Sequence, residues 1–201
     1  MTNISLKTRK PIPEHIREIL SAVFDASAGL EIKAFVVGAA ARDLIFEYVY
    51  DAQIKRATED IDFGIAVESW TQYERLKNAL LETDKFADDV KNAQRIWWKK
   101  SGAEMKIDLV PFGGLESPAG QIAFPPEGDF VMNTVGFEEA FANSILLETD
   151  ENLTGRIASL AGIALLKFVA YNDRPQARRR DVQDILFIAK NSGRGQRRSA
   201  L

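Results

Sequence analysis

Apolar residues near the start of the chain recur at Ile16, Ile19, Leu20, Val23 and Phe24. That spacing predicts a helix over 15–28, preceded by Pro11 and Pro13 and stopped by Gly29. A continuous apolar run over 32–37 predicts a short strand ending at Gly38, and small residues after the glycine open a second helix over 39–50. Over 59–67, Ile61, Phe63 and Ile65 alternate with Asp60, Asp62 and Gly64, a strand with two unlike faces. Helical spacing returns over 70–81 at Tyr73, Leu76, Leu80 and Leu81. Strands over 95–99 and 105–110 follow, joined by a turn at Ser101 and Gly102. The Pro- and Gly-rich stretch 111–129 predicts an ordered loop or small insertion. A short helix near Gly136 and two strands carry the chain to Ser159, and helices over 160–171 and 181–190 close it.

This order predicts an α+β fold, a mixed sheet flanked by helices with a helical C-terminal part. A boundary near residue 158 would separate an α/β core, 1–158, with its insertion at 111–130, from C-terminal helices and a basic tail at 159–201. The chain has 201 residues, no cysteine and one histidine, His15. Disulfides, thiolate zinc sites and multi-histidine metal sites are therefore excluded, and the cytosol is the expected compartment. No apolar run reaches membrane-spanning length, and the polar, basic N-terminus lacks the apolar stretch of a signal peptide. The formal net charge is −3, yet between Arg174 and Arg198 eight Lys or Arg face only Asp181 and Asp184. Such a block suits an anionic partner, a triphosphate or a nucleic-acid backbone, or simply solubilises the tail.

Successive side chains on a strand alternate between faces, so Asp60 and Asp62 share one face, opposite Ile61 and Phe63. On the later strand Asp108 likewise stands opposite Ile107 and Leu109. If the two strands are neighbours, three carboxylates converge on one face. Aspartate is disfavoured within strands, and three close negative charges repel unless a cation neutralises them. Mg²⁺ or Mn²⁺, held by carboxylates and substrate phosphates, is the natural cation, suited to an in-line phosphoryl displacement. Alternatively, Asp60 and Asp62 merely decorate a solvent-facing strand. Upstream, Gly38 ends a strand and begins a helix, where free amides and small residues let a phosphate approach the backbone.

Taken together, Val37-Gly38-Ala39-Ala40-Ala41-Arg42-Asp43, then Thr58-Glu59-Asp60-Ile61-Asp62-Phe63 with Arg56 before it, then Lys106-Ile107-Asp108, resemble the polymerase-beta-like nucleotidyltransferase superfamily. The closer resemblance is to nucleotidyltransferases related to the abortive-infection (AbiEii-like) type IV toxins. Those carry a Lys, Arg, Asp, Asp order that Lys167, Arg174, Asp181 and Asp184 match here. The resemblance spans about residues 35–189. It implies catalytic and metal-binding roles for Asp60, Asp62 and Asp108, with Asp108 helping to activate the attacking hydroxyl. It also implies nucleotide-binding roles for Gly38, Ala39, Arg42, Lys167, Arg174 and Asp181. The implied substrate is a nucleoside triphosphate, and the implied acceptor a hydroxyl on tRNA, another RNA or a small molecule. A cognate antitoxin is the implied protein partner. The superfamily usually has Gly-Gly or Gly-Ser at the turn where Ala39 follows Gly38 here.

The residues also admit blander roles. Lys167 would complement a helix dipole, Asp181 and Asp184 would be a cap and a solvated charge on one helical face, and Arg56 and Thr58 would support a loop. Trp97 and Trp98 point to opposite faces of their strand, one into the core and the other to an edge or a base-stacking platform. His15 is expected at the surface or as a cap. The alternative functions are a catalytically inactive nucleotide-binding protein of the same fold, favoured by Ala39, and, with a poorer match, an Asp-x-Asp phosphatase.

Overall fold

Alternation of apolar and polar residues builds one sheet whose two faces have different tasks. In the computed structural model, which describes residues 4–54, 58–100, 102–126, 128–149 and 152–196, ten strands form. They are β1 (Ser5–Lys7), β2 (Lys33–Val37), β3 (Asp60–Ala66), β4 (Phe86–Asp88), β5 (Arg95–Lys100), β6 (Ala103–Phe112), β7 (Gln121–Ala123), β8 (Val131–Asn133), β9 (Ile145–Glu148) and β10 (Thr154–Ile157). Eight of them make a mixed sheet in the order β1-β9-β10-β2-β3-β6-β5-β4, and β7 and β8 form a separate hairpin. The helices are α1 (Glu14–Gly29), α2 (Gly38–Asp43), α3 (Trp70–Leu81), α4 (Phe137–Ala142), α5 (Leu160–Asp173) and α6 (Arg179–Gln196). The expected α+β architecture is present.

The parity of β3 and β6 decides what each face does. Ile61, Phe63, Ile65, Ile107, Leu109, Ile96 and Trp98 are buried on one face. There α1 brings Ile19, Leu20 and Val23, with the Phe24 ring edge-on to Phe63 at 5.8 Å. From α3, Leu76 and Leu80 are buried, and the Tyr73 hydroxyl donates to the Leu109 carbonyl at 3.0 Å. On the opposite face Phe35, beside Gly64 in register, packs edge-on against Phe112, Phe137 and Phe141, so α4 covers one end. The other end of that face carries the aspartates.

Gly64 lies where a side chain would overlap the Phe35 ring, which is fully buried and cannot swing away. Gly64→Ala is therefore expected to destabilise the fold by about 1–3 kcal/mol, the usual cost of overpacking. A lower urea midpoint at an unchanged m-value would show it, and an unchanged midpoint would mean that the packing there is looser than described.

Several elements differ from the sequence reading. The helix expected over 39–50 is α-helical only over Gly38–Asp43 and continues as a wider π-helical segment, Leu44–Val49. The loop expected from Pro111 begins two residues later, because Pro111 stays in β6 opposite Ile65. β5 pairs with β6 only as far as Asp108, and the Leu109 amide already reaches back to Gln94. The edge that Pro111 faces is thus unpaired, and its missing N–H removes no ladder bond. The stretch 111–129 also contains β7, which folds against β8. The short strands β1 and β4 are additions to that reading. The terminal helices run further than expected, over Leu160–Asp173 and Arg179–Gln196. His15 is half-buried, its ring 6.2 Å from that of Trp98. Among the described residues no helix is long and apolar enough to cross a membrane.

Candidate active site

β3 and β6 are parallel neighbours in a register that sets Asp62 directly opposite Asp108 and Asp60 opposite Lys106. The three aspartates therefore share one face and one end of the sheet. Asp60 accepts from the Thr58 hydroxyl at 3.1 Å, so Thr58 supports the carboxylate itself as well as its loop. Arg56 lies outside the described residues. Asp62 pairs in register with Val37, the last residue before the glycine turn. Gly38 has φ +66°, a left-handed backbone that glycine adopts without strain, and any side chain there would collide with the Asp62 carboxylate. Turn and carboxylate are thus packed against each other.

Among the described residues, no ion pair balances Asp62 at close range. Burial first, then the Asp60 and Asp108 charges, push its carboxyl up to about 7, against the pull of Lys167 and Arg178. Asp108 is held differently. Arg95, directly opposite on β5, grips both of its oxygens from Nε at 2.8 Å and Nη2 at 2.9 Å. Arg95 is a site residue the sequence reading missed. A cross-strand position opposite an aspartate could have flagged it, once the β5–β6 hairpin register was drawn.

The C-terminal residues enter through one largely buried charge network. Lys167 on α5 donates to Asp181 at 2.9 Å and pairs with Asp184 at 2.6 Å, both on α6. Arg42 on α2 pairs with Asp43 at 2.6 Å and with Asp184. All five side chains are at most one-fifth exposed. The reading of Asp184 as a solvated charge is overturned, because its carboxylate is one-fifth exposed and pairs with Lys167 and Arg42, and Asp181, in the first turn of α6, is buried against Lys167. Burial raises the Asp43 carboxyl above its ordinary value despite Arg42. Asp43 and Asp184 extend the sequence-predicted set, while Arg174 stands apart, more than half exposed and paired with its neighbour Asp173 at 3.3 Å. Arg178 lies 4.0 Å from Asp181. Ala39 follows Gly38 in the first turn of α2, half-buried.

Among the described residues, no three carboxylate or imidazole side chains gather closely enough to enclose a cation as they stand, and Asp108 is already bound by Arg95. Oxygen donors on one face, one of them desolvated and uncompensated, nevertheless match the chemistry of a hard divalent ion.

Against this geometry, the family model for the nucleotidyl transferase AbiEii toxin of type IV toxin–antitoxin systems matches residues 44–201. This chain belongs to the AbiEii nucleotidyltransferase family. Asp60, Asp62, Asp108, Lys167, Asp181 and Asp184 fall inside the matched region, and the glycine turn lies just before it. As a family member the chain is a nucleotidyltransferase. Among solved structures, an antigenic nucleotidyltransferase-like protein from Paracoccidioides brasiliensis is 16% identical with a TM-score of 0.57, covering 88% of this chain and 76% of its own. That likeness is one of fold. ANT(2″)-Ia in complex with adenylyl-2″-tobramycin is 13% identical with a TM-score of 0.48, covering 90% of this chain and 91% of its own. A search of curated proteins found no match.

Proposed function

We propose that this AbiEii-family protein moves a nucleoside monophosphate from a nucleoside triphosphate to a hydroxyl acceptor, with Mg²⁺ or Mn²⁺ held by Asp60, Asp62 and Asp108. The observation that carries the reading is the strand register, which sets Asp62 beside Asp108 and on one face with Asp60, packed against a left-handed glycine turn and without an ion-pair partner among the described residues. A charge left uncompensated in a fold that elsewhere pairs its buried charges marks a place for a cation. When bound, the divalent ion would polarise the α-phosphate and offset charge on the departing pyrophosphate.

The remaining steps fall to the chain's own residues. Gly38 and Ala39 open a backbone surface for the triphosphate. Arg42, Lys167 and Asp181 order the flank beside it, and Arg174 and Arg178 supply positive charge at its outer edge. The acceptor oxygen bonds to the α-phosphorus while the bond to the β-phosphate oxygen breaks. The hydroxyl proton passes toward Asp108, and pyrophosphate leaves. Asp108 therefore has to exchange its Arg95 partner for the hydroxyl. The acceptor is tRNA, another RNA or a small molecule, the compartment is the cytosol, and a cognate antitoxin is the protein partner suggested by the family.

Incubation with Mg²⁺ and each α-labelled triphosphate, with and without tRNA, tests this reading. Label should move to an acceptor, and Asp60→Ala should abolish the transfer. Triphosphate binding without transfer under all these conditions would instead favour an inactive nucleotide-binding protein, the reading that Ala39 supports.

A further inference from the structure

Helix α5 is apolar on every side, and from Leu160 to Asn172 its one charged residue is Lys167. A helix of that composition is ordinarily enclosed. Lys167 and Ile163 are enclosed, Lys167 against α6. Leu165 and Phe168 stand about 160° and 100° around the helix from Lys167 and face outward. Phe168 is 63% exposed, more than any other described phenylalanine. Val135, also exposed, adjoins them, because the next residue, Gly136, lies against Leu165. Ala161, one turn before Leu165, is exposed on the same side. Single exposed apolar residues are common, whereas these adjoin one another along one helix face.

The charges around this face are sorted by sign. Between Lys106 and Arg156 the sequence contains no Lys or Arg. Within that stretch α4 carries Glu138 and Glu139, both exposed, and α4 lies along the first half of α5, with Gly136 beside Leu165 and Ala140 beside Gly162. The other end of α5 runs into Arg174, Arg178, Arg179 and Arg180, all exposed, against one exposed carboxylate, Asp173. From Leu165 to Arg174 is about 13 Å along the helix, with Phe168 between them. An acidic end, an apolar middle and a basic end make a surface that complements itself when a second copy is turned round. A two-fold axis near Phe168 sets two α5 helices antiparallel and brings the acidic end of each copy to the basic end of the other. A nucleic-acid strand would suit the arginines but would meet like charge at Glu138 and Glu139.

We infer that the face formed by Val135, Leu165 and Phe168 is the contact of a symmetric homodimer, in which Glu138 and Glu139 of one copy pair with Arg174 and Arg179 of the other. An apolar centre within a charged rim is the usual anatomy of such a contact. The inference does not depend on the transfer reading, since Lys167 and its ion pairs lie on the enclosed side of α5.

Sedimentation velocity of the full-length chain over a concentration series tests it. Wild type should pass from monomer to dimer below about 100 µM, and added salt should weaken the association. Phe168→Asp should raise the dissociation constant about a hundredfold at an unchanged melting temperature. The double variants Glu138→Lys, Glu139→Lys and Arg174→Glu, Arg179→Glu should each self-associate about tenfold more weakly than wild type, because each sets like charges against one another across the axis. Mixed in equal amounts, the two should form a heterodimer, and all four substitutions in one chain should restore the homodimer. Thermal melts show whether each variant is folded. Wild type that stays monomeric throughout overturns the inference and leaves the face to a partner of another kind. Dimerisation of Phe168→Asp as tight as wild type overturns it too, as does a charge-reversed mixture that stays monomeric. Growth beyond the dimer would mean a head-to-tail contact and equally excludes the two-fold pairing.

Discussion

Asp62→Asn is expected to abolish nucleotidyl transfer and at the same time make the metal-free protein more stable above neutral pH. The first effect follows from the site. A carboxylate at the centre of a charge-stabilising constellation contributes on the order of 10³-fold in rate, and the amide can neither neutralise nor hold a cation comparably. The second follows from the unbalanced burial of Asp62. Its carboxyl is raised from 3.8 to about 7, chiefly by burial and then by Asp60 and Asp108. Between those two values the folded state binds more protons than the unfolded state, so stability falls as pH rises through the window and the full penalty is present above about 7. A tenfold weaker acid in the folded state corresponds to about 1.4 kcal/mol, so the penalty amounts to a few kcal/mol. Asparagine carries no such charge. In chelator-containing buffer the variant should melt roughly 5 °C or more above wild type at pH 8, with the gap closing toward pH 4. Adding Mg²⁺ should raise the wild-type melting temperature and narrow the difference. A variant that melts below wild type at every pH would show that Asp62 is already compensated in the free protein. Retained transfer would remove it from the site.

The second large effect is expected at Lys167, and its sign is opposite. The ammonium is the shared partner of Asp181 and Asp184 and is itself about one-tenth exposed. Removing it leaves two largely buried carboxylates facing each other, with Arg42 as the remaining cation on Asp184 and Arg178 no nearer than 4.0 Å to Asp181. Breaking a buried ion pair from one side costs about 3–5 kcal/mol, because the orphaned charge keeps its desolvation penalty. Lys167→Ala should accordingly lower the urea midpoint strongly. The loss should be partly recovered in the triple variant Lys167→Ala, Asp181→Asn, Asp184→Asn, which removes the orphaned charges together. A single variant that unfolds with wild type would mean that water reaches these groups freely. Because the Lys167 charge disfavours a proton on Asp62, it disfavours any cation there, so its loss should strengthen the Mg²⁺-induced stabilisation of whatever protein remains folded, coupling the helical part to the site on the sheet.

The two cases divide according to what is local in the chain. That Asp60 and Asp62 share a face, that Asp108 stands opposite apolar neighbours, and that a glycine ends the preceding strand are consequences of strand periodicity, which two or three residues suffice to define. The shared face of the three candidate aspartates was legible for that reason, and so were the motifs that carry the family resemblance. So was the opposition of Trp97 and Trp98, although which indole was core depended on which face α1 and α3 covered. Strands β1 and β4 were not legible, since three residues carry too little alternation to stand out.

Register and docking are not local, and they decided the rest. Asp108 lies beside Asp62 because β6 runs parallel to β3 in one particular alignment, and a shift of one residue would have turned its carboxylate into the core. Arg95 captures Asp108 through the hairpin's cross-strand pairing, across thirteen residues of sequence. Asp184 meets Arg42 across 142 residues, a partnership no spacing rule can suggest. The sequence by itself determined which side chains carry charge and on which face of its own element each one stands. Only the tertiary structure decided which of those charges found a buried partner and which, like Asp62, was left without one, because pairing depends on how separate elements align and pack, whereas side-chain direction depends only on the backbone of a single element.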